Sequence, residues 1–310
     1  MTTIIFPGQG SQYIGMAKDF YDNFETARNT FEAVEKATNI SITDIIFNNS
    51  KNLLNITQFT QLAIFTSSMA IYNVFNEEVI RPRNLNINCM LGHSLGEYSA
   101  LSASQVLTIE DCSKLLKIRG ELMQNSYEPN KSGMAAIIGL DCDSIQQIII
   151  KNKLNIEIAN DNSPMQIVVS GKIENLKKAE SFFLNSNAKR YLFLNVSAAF
   201  HSKIMKNAEA QMKIFINNIN FRKPKNYIIS NFSAESSKNI EILSNNLSNQ
   251  MSNRVRWVES IKKLELMNEK IVIEIGPGKV LTGLIKRISD NFNYFNINNI
   301  SDIEVLKNEF

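Results

Sequence analysis

A serine between two glycines is the first candidate for chemistry in this sequence. The run GHSLG at 92–96 follows an apolar stretch at 87–91 and precedes a stretch at 97–101 that favours a helix. A strand, a sharp glycine-flanked turn and a helix together form a nucleophile elbow, which exposes a serine oxygen at a helix N-terminus. An ordinary strand-to-helix turn with a capping serine fits the same letters. The flanking strand and helix favour the interpretation of Ser94 as a nucleophile.

A serine nucleophile needs a general base. The sequence contains only two histidines, His93 and His201. His93 adjoins Ser94 on the tight turn, where neighbouring side chains project in different directions, so it cannot easily reach the hydroxyl. His201 is therefore the candidate base, against the alternative that it is a structural histidine. No carboxylate stands in an obvious motif near His201, and a backbone carbonyl could orient its ring instead.

Arg119 occupies an unusual place on a predicted helix. The run TIED at 108–111 has the capping-box pattern and predicts a helix that extends to about Gln124. The inward stripe of this helix carries apolar side chains, namely Cys112, Leu115, Leu116, Leu122 and Met123. Arg119 falls on the same stripe, and a buried charge must find a partner. The guanidinium either extends to solvent, pairs with a structural carboxylate, or binds an anionic substrate.

The composition is that of an ordinary globular protein with a large core. Of 310 residues, 44% are hydrophobic and 20% are charged, and the net charge of +3 is too weak to indicate nucleic-acid binding. The cysteines lie in apolar contexts without a C-x-x-C motif, which predicts reduced core thiols. The sequence shows no secretory signal, no membrane-spanning run and no metal-ligand cluster, so we expect a cytosolic protein without a bound metal.

The first half of the chain alternates predicted strands and helices. A strand at 2–6 breaks into the glycine-rich loop PGQGSQ at 7–12, and helical spacing follows over 16–37 and 59–76. This alternation indicates an α/β fold in which helices cover a parallel sheet. The loop is either a plain strand-to-helix turn or a turn whose N–H groups point at a developing oxyanion.

The pattern changes after a polar segment at 126–133. The next elements follow in the order strand, helix, strand, strand, helix, strand, at 134–140, 142–153, 155–160, 166–171, 173–186 and 190–196. This order is the split βαβ, or ferredoxin-like, arrangement. We therefore predict a small ferredoxin-like subdomain at 131–197, inserted into a larger α/β-hydrolase-like subdomain formed by 1–130 and 198–310.

The chain then returns to the larger unit. Helices are predicted at 201–217, 258–268 and 280–288, and strands at 226–230 and 270–275. The residues after 290 are rich in asparagine, which predicts a loosely packed tail or a sheet edge.

Several motifs along the chain together resemble one enzyme family. They are FPGQGSQ at 6–12, GHSLGEYSAL at 92–101, IRG around Arg119, AAFH at 198–201, QMSNRVRW at 250–257 and IEIGPGKVLTGL at 273–284. In this order they closely resemble the malonyl-CoA:acyl carrier protein transacylases, over nearly the whole chain. The resemblance includes the inserted ferredoxin-like unit and implies a free-standing enzyme of fatty-acid synthesis.

The resemblance implies a role for each residue of the reaction centre. Ser94 would be the acylated nucleophile, and His201 would act as its base and then as the acid that releases the thiol. Backbone N–H groups of Gln9 and Leu95 would form the oxyanion hole. The main-chain carbonyl of Gln250 would hold the histidine ring, consistent with the missing acid.

The resemblance also implies substrate selectivity. Arg119 would pair bidentately with the malonyl carboxylate, which explains its placement among apolar residues. Phe200 and Leu95 resemble the malonyl-selective pattern, and a bulky Phe200 would crowd an α-methyl branch. Steric rejection of this kind is worth only ~1–3 kcal/mol, whereas an unpaired buried arginine costs about 3–5 kcal/mol. We therefore expect discrimination against acetyl groups to be sharper than discrimination against methylmalonyl groups.

Other positions match or depart from the family pattern. Asn160, Asn162 and Gln166 match a family stretch that lines the cleft beside the small subdomain. Leu62 and Arg254 each replace a proline that is usual in the family. Arg254 lies close to the carbonyl that should hold the histidine, so the position of that carbonyl becomes a question for the structure.

The expected reaction is a ping-pong transfer. Malonyl-CoA would acylate Ser94, and the phosphopantetheine thiol of an acidic acyl carrier protein would then take the malonyl group. The enzyme would need no cofactor beyond its CoA thioester substrate, and we expect a monomer. Candidate docking points for the carrier are the basic pairs Lys189-Arg190, Lys262-Lys263 and Lys286-Arg287, although each pair also fits an ordinary solvated surface.

Three alternatives remain at this stage. A serine esterase or thioesterase would use the same elbow and pass the acyl group to water, but the usual hydrolase fold carries its histidine near the C-terminus. A CoA- or carrier-binding module without turnover would not require Ser94, His201 and Arg119. A trans-acting acyltransferase of polyketide synthesis would perform the same chemistry.

Overall fold

Two sheets organise the chain in the computed structural model, which describes residues 1–309. The strands are β1 (Thr2–Phe6), β2 (Ile87–Gly92), β3 (Ser132–Ile138), β4 (Ile156–Ser163), β5 (Gln166–Lys172), β6 (Arg190–Phe193), β7 (Tyr227–Ile229), β8 (Ser236–Ser237), β9 (Ile271–Ile275) and β10 (Asn293–Ile297). The larger sheet has the order β10-β9-β1-β2-β7-β8 and is parallel except for the pairing of β7 with β8.

Helices cover both faces of the larger sheet and one face of the smaller sheet. They are α1 (Lys18–Asn23), α2 (Glu25–Thr38), α3 (Ile42–Phe47), α4 (Thr57–Phe75), α5 (Gly96–Ala103), α6 (Ile109–Gln124), α7 (Cys142–Lys151), α8 (Ile173–Asn185), α9 (Lys206–Asn217), α10 (Ile240–Ser248), α11 (Trp257–Leu266), α12 (Val280–Ile285) and α13 (Ile300–Glu309). A π-helical turn at Asn76–Ile80 follows α4, and a 3₁₀ turn at Lys203–Met205 precedes α9.

The apolar strands of the larger sheet are explained by burial on two sides. Ile4 and Phe6 of β1 pack into the main core with α2, α4 and α6, whereas Ile5 packs into a second core with α11 and α12. A strand with both faces covered reads as a continuous apolar run instead of an alternating one. The α4 helix is buried over nearly its whole length, so it forms the centre of the main core.

The smaller sheet is a separate unit with its own core. Its order is β4-β5-β3-β6, and every neighbouring pair is antiparallel. Helices α7 and α8 pack on one face, where Ile145, Ile149, Leu176 and Phe183 are buried. The prediction of a mixed α/β fold with a parallel sheet and a separate antiparallel sheet is confirmed.

One local prediction was wrong, and one open alternative is decided by the structure. The helix predicted at 16–37 is broken at Phe24, which is extended (φ −125°, ψ 128°) between α1 and α2. Arg28 of α2 donates hydrogen bonds to the carbonyls of Tyr21 and Asp22, at 2.9 and 3.2 Å, and so satisfies the end of α1. Of the two alternatives for the residues after 290, the sheet edge is the one observed: β10 is the edge strand of the larger sheet, and Ile303 of α13 is buried.

Within residues 1–309 no helix combines the length and the apolar character that a membrane crossing requires.

The turn after β2 predicts a strong sensitivity to single methyl groups. A Cβ at Gly92 would stand 2.1 Å from the backbone carbon and oxygen of Gly96, which cannot move aside as a side chain does. We expect Gly92→Ala to lower the free energy of unfolding by about 3 kcal/mol. Gly283→Ala in α12 is the matched control, since no atom lies within 4 Å of its added Cβ, and it should be neutral or stabilising. Equal urea midpoints for the two variants would contradict this account of the turn.

Candidate active site

The elbow serine sits in a strained turn between β2 and α5. Ser94 has a φ of +53°, which a non-glycine residue rarely adopts, and a Cβ at Gly96 would lie 2.3 Å from the carbonyl oxygen of Phe6. The Ser94 N–H donates to Asn231 Oδ1 at 2.6 Å, and Asn231 Nδ2 donates to the Gly92 carbonyl at 2.6 Å. Asn231, just after β7, therefore locks both sides of the turn.

His201 meets the serine directly. Its Nε2 lies 2.8 Å from Ser94 Oγ, and its Nδ1 lies 3.1 Å from each of the main-chain carbonyl oxygens of Gln250 and Asn253. A carbonyl only accepts hydrogen bonds, so Nδ1 carries the proton and Nε2 is free to accept one from the hydroxyl. The side chain that the sequence singled out as the candidate base has the tautomer that a base requires.

The imidazole is held neutral by its surroundings. Burial, and next the positive charge of Arg119, lower the pKa of His201 to about 3. The hydrogen bonds to the carbonyls of Gln250 and Asn253 act in the opposite direction, but more weakly. His201 therefore remains an unprotonated acceptor over the physiological pH range.

Arg119 is a buried cation whose protein partners are all neutral. It is 1% exposed, and Nη2 donates to Ser94 Oγ at 3.1 Å and to Gln250 Oε1 at 2.9 Å. Nη1 donates to Gln61 Oε1, and the guanidinium carbon lies 5.5 Å from the ring centre of Tyr98. Burial lowers the pKa of the arginine. Gln61 was not among the predicted site residues, because no motif or spacing in the sequence connects it with Arg119.

A buried glutamate stands behind this cation. Glu97 is 1% exposed, and its Oε2 accepts hydrogen bonds from Gln250 Nε2 at 2.7 Å and from the Asn231 N–H at 3.1 Å. Gln250 Nε2 also donates to the Ser94 carbonyl at 2.9 Å, so the Gln250 amide bridges Glu97 to Arg119. Burial raises the pKa of Glu97. Glu97 is absent from the predicted site residues, although a carboxylate inside the elbow motif was a usable signal.

A cavity of about 380 Å³ opens onto these groups. Its lining includes the predicted residues Gln9, Ser94, Leu95, Arg119, Asn160, Phe200 and His201. Among the hydrogen bonds within residues 1–309, neither the Gln9 N–H nor the Leu95 N–H donates to a protein acceptor. Both amides are therefore available to a ligand in the cavity. Asn160 also lines the cavity, and its buried Oδ1 has no protein partner in the described part of the chain.

Asn162 and Gln166 are not among the residues that line the cavity. Asn162 Oδ1 lies 2.8 Å from Nε2 of His93, which orients the second histidine behind the elbow. Gln166 Oε1 accepts a hydrogen bond from Arg287 Nη1 at 2.7 Å on the surface. The two side chains that the family stretch suggested beside Asn160 are thus engaged with the protein itself.

The two departures from the family pattern leave the reaction centre intact. Leu62 is fully buried in the main core. Arg254 forms an ion pair with Glu259 at 2.9 Å and donates to Cys142 Sγ at 3.1 Å, away from the imidazole. The Gln250 carbonyl keeps its contact with His201 in spite of the missing proline. The described residues contain no group of three or more histidine, cysteine, aspartate or glutamate side chains that could hold a metal ion.

Known proteins share both the sequence and the fold of this chain. The Acyl transferase domain family matches residues 3–306. The malonyl CoA-acyl carrier protein transacylase of Staphylococcus aureus (strain MSSA476) is 35% identical over 306 residues, covering 98% of this chain and 97% of the relative. The transacylase of the same name from Bacillus subtilis (strain 168) is 34% identical over 304 residues, covering 97% of this chain and 94% of the relative.

Solved structures agree with these relatives. The acyl-carrier-protein-S-malonyltransferase of Bartonella henselae superposes with a TM-score of 0.93 at 36% identity, covering 99% of this chain and 98% of that one. A malonyl-transacylase in complex with a type II PKS acyl-carrier protein superposes with a TM-score of 0.94 at 31% identity, covering 100% of this chain and 99% of that one. Together with the convergence of Ser94, His201 and Arg119 on one cavity, these matches mean that the chain is an acyltransferase and belongs to the malonyl-CoA:acyl carrier protein transacylase family.

Proposed function

We propose that this enzyme moves the malonyl group from malonyl-CoA to the phosphopantetheine thiol of an acyl carrier protein, through a malonyl ester on Ser94. One observation carries the proposal. Ser94 Oγ lies 2.8 Å from the Nε2 of a neutral histidine and 3.1 Å from the Nη2 of a buried arginine. A nucleophile, a base and a carboxylate-binding cation therefore meet within the reach of one small acyl group.

The first half-reaction follows from the geometry of the imidazole. His201 Nε2 takes the hydroxyl proton as Ser94 Oγ bonds to the thioester carbon. The tetrahedral intermediate then collapses, the carbon–sulfur bond breaks, and the imidazolium returns the proton to the departing CoA sulfur. The Gln250 and Asn253 carbonyls stabilise the imidazolium because they already accept its Nδ1–H.

The negative oxygen of the intermediate needs donors that are already in place. We assign this role to the free N–H groups of Gln9 and Leu95, which line the cavity beside Ser94. Leu95 precedes the first turn of α5, so the positive end of the helix dipole supports the same charge. Donors of this kind contribute ~10²–10³ in rate.

The second half-reaction reuses the same groups. The carrier thiol gives its proton to His201 Nε2 as its sulfur bonds to the malonyl ester carbon. The bond between that carbon and Ser94 Oγ then breaks, and the imidazolium returns the proton to Ser94 Oγ. Two thiol substrates therefore visit one cavity in turn, which makes the kinetics ping-pong. All the groups come from a single chain, so we propose that a monomer is active.

Selectivity for a free carboxylate rests on Arg119. Its Gln61 and Gln250 partners are neutral amides that hold the guanidinium fork without neutralising it. A malonyl carboxylate entering the cavity would replace some of these contacts with charge-assisted hydrogen bonds, which are roughly twice as strong. Phe200 on the cavity wall would crowd an α-methyl substituent, and Asn160 would offer a further polar contact.

We also propose a division of labour between two subdomains. The larger, α/β-hydrolase-like part at 1–130 and 198–310 supplies Ser94, His201 and Arg119. The ferredoxin-like part at 131–197 supplies Asn160 and has its own hydrophobic core. The cavity is lined by residues of both parts, as expected for a cleft that receives a long thiol arm.

The carrier is the partner expected from the relatives, one of which is a malonyl-transacylase bound to a type II PKS acyl-carrier protein. Fatty-acid and polyketide carriers offer the same thiol, and the site chemistry is identical for both. A serine thioesterase is the second candidate function, and it differs only in the final acceptor, which would be water. Transfer in the presence of carrier therefore decides between them.

The acyl-enzyme is the first testable consequence. Mixing the protein with malonyl-CoA should add the mass of one malonyl group, whereas Ser94→Ala should remain unmodified because the nucleophile is gone. Intact-protein mass spectrometry measures both. Adding holo acyl carrier protein should move the label to the carrier thiol. Free malonate as the main product, with the carrier present, would identify a thioesterase instead.

Arg119 predicts a specific loss of selectivity. Arg119→Ala should slow loading from malonyl-CoA about 10²-fold, because charge-assisted hydrogen bonds to the carboxylate disappear. Loading from acetyl-CoA should be unchanged or faster, since the pocket no longer holds an unpaired cation. Arg119→Lys, which keeps the charge but loses the planar fork, is the matched variant. Its rate of loading from malonyl-CoA should lie between the rates of the wild type and Arg119→Ala. Equal losses for both thioesters would mean that Arg119 acts in some other way.

The depressed pKa of His201 predicts an unusual pH profile. The base must be neutral to accept a proton, and burial and Arg119 hold its pKa at about 3, below the ordinary value of 6.5. The kcat/KM for malonyl-CoA reports the free enzyme and should therefore be flat from about pH 5.5 to 8, with loss only at more acidic pH. Stopped-flow acylation, with circular dichroism at each pH to confirm folding, measures this. An acid limb centred near pH 6.5 would refute the assignment.

A further inference from the structure

The loop that orients the catalytic imidazole is short and is built without the usual proline. Both acceptors of the His201 Nδ1–H, the carbonyls of Gln250 and Asn253, belong to this loop after α10. The family resemblance places a proline at the position of Arg254, which would have restricted the backbone. Contacts with other elements therefore fix the loop, because a shift of the two carbonyls would release the imidazole. The Gln250 side chain holds the start of the loop through Glu97 and Arg119, and the Val255 backbone holds its end by pairing with β4.

The middle of the loop is held by a buried carboxylate on α9. Glu209 is 2% exposed, and its Oε2 accepts a hydrogen bond from the Ser252 N–H at 2.9 Å. Its Oε1 lies 3.4 Å from Lys206 Nζ and 3.7 Å from Lys213 Nζ. Lys213 Nζ also donates to Asn249 Oδ1 at 2.9 Å. Helix α9 therefore contacts the loop at two points, at Ser252 in the middle of the loop and at Asn249, its first residue.

Glu209 and His201 lie on the same segment of the chain. His201 leads through a 3₁₀ turn into α9, so the imidazole and Glu209 belong to one continuous segment. The two carbonyls belong to the facing segment. Glu209 therefore fastens the element that carries the histidine to the element that orients it.

The buried carboxylate has no simpler explanation in packing. The other buried side chains of α9 are Ala208, Met212 and Ile216, and an apolar residue at 209 would suit that face. Burial of a carboxylate is costly unless hydrogen bonds and cations compensate it. An apolar side chain there would leave the buried Ser252 N–H without its acceptor.

We propose that Glu209 is a positioning residue for the transfer reaction, acting on His201 through the Ser252 amide and the carbonyls of Gln250 and Asn253. The proposal rests on the proposed function, in which His201 is the base. In a serine–histidine–aspartate triad the acid contacts the imidazole directly. Here the Glu209 carboxylate does not contact the imidazole. It bonds to the Ser252 N–H, and the neutral carbonyls of Gln250 and Asn253 contact the ring.

Three variants test the proposal by the rate of Ser94 acylation in single turnover. Glu209→Ala should slow acylation about 10–10²-fold while the half-saturating malonyl-CoA concentration changes less than about twofold, because the substrate contacts are untouched. Glu209→Gln keeps an oxygen that can accept from the Ser252 N–H and should restore most of the rate. Glu209→Asp keeps the charge but is shorter, so it should be slow.

Glu274→Ala is the matched control. Glu274 is also fully buried and accepts from main-chain N–H groups, those of Leu281 and Thr282 at 3.0 and 2.7 Å, at the start of α12. Its loss should lower the unfolding midpoint but leave acylation unchanged. If Glu274→Ala slows acylation as much as Glu209→Ala, the effect is a general loss of stability and the positioning role is rejected.

Nitrogen-15 NMR of the histidine rings gives a readout that does not depend on turnover. The chain has only two histidines, so the His201 signals are separable, and the wild type should show a single Nδ1-protonated tautomer. Glu209→Ala and Glu209→Asp should show a mixture of tautomers, and Glu209→Gln should resemble the wild type. Wild-type tautomer and wild-type acylation in both Glu209→Ala and Glu209→Asp would overturn the proposal. If wild-type enzyme forms no malonyl ester, the proposed function fails, while the NMR arm still decides what Glu209 does.

Discussion

The buried charge of Arg119 is the constraint on which the rest of the site depends. A guanidinium that is 1% exposed must keep its hydrogen bonds, yet a protein carboxylate in direct contact would occupy the place of the substrate carboxylate that we propose for it. The protein meets both needs with two glutamine amides and the Ser94 hydroxyl. Glu97 lies behind the cation, with the Gln250 amide between the two side chains. The cation is held in place and remains open to an anionic ligand.

The topology brings these groups together at the carboxyl ends of the strands of the larger sheet. The elbow follows β2, the loop of Gln9 follows β1, and Asn231 follows β7, and these three strands are parallel neighbours. Ligand sites of parallel sheets lie outside the carboxyl ends of the strands, where loops from adjacent strands meet. Helices α4 and α6 contribute Gln61 and Arg119 at the same end of the sheet, where Arg119 contacts Ser94. The order of the strands, more than any single loop, determines which residues can cooperate.

The sequence predicted the parts of the site that carry local signals. The capping box gave the helix of Arg119, with Thr108 accepting from the Asp111 N–H at 3.0 Å, and glycine spacing gave the elbow. Gln61 and Asn231 were missed because their roles depend only on contacts between residues far apart in the chain. The break at Phe24 was missed because helical periodicity continues across it, and the capping partner, Arg28, lies in the next helix.

The use of carbonyls instead of an acid at His201 agrees with the substrate. An aspartate on Nδ1 would place a negative charge beside a cavity that must admit a malonyl carboxylate. It would also weaken the attraction between Arg119 and that carboxylate. Two carbonyls fix the same tautomer with dipoles alone. Burial lowers the pKa of His201, the neighbouring cation lowers it further, and the two carbonyls raise it only weakly, so the proposed base is unprotonated when the thioester arrives. The nearby carboxylates, Glu97 and Glu209, contact neither the imidazole nor the arginine directly; they act through an amide side chain and a main-chain N–H. Negative charge is thereby kept out of the cavity until the substrate supplies it.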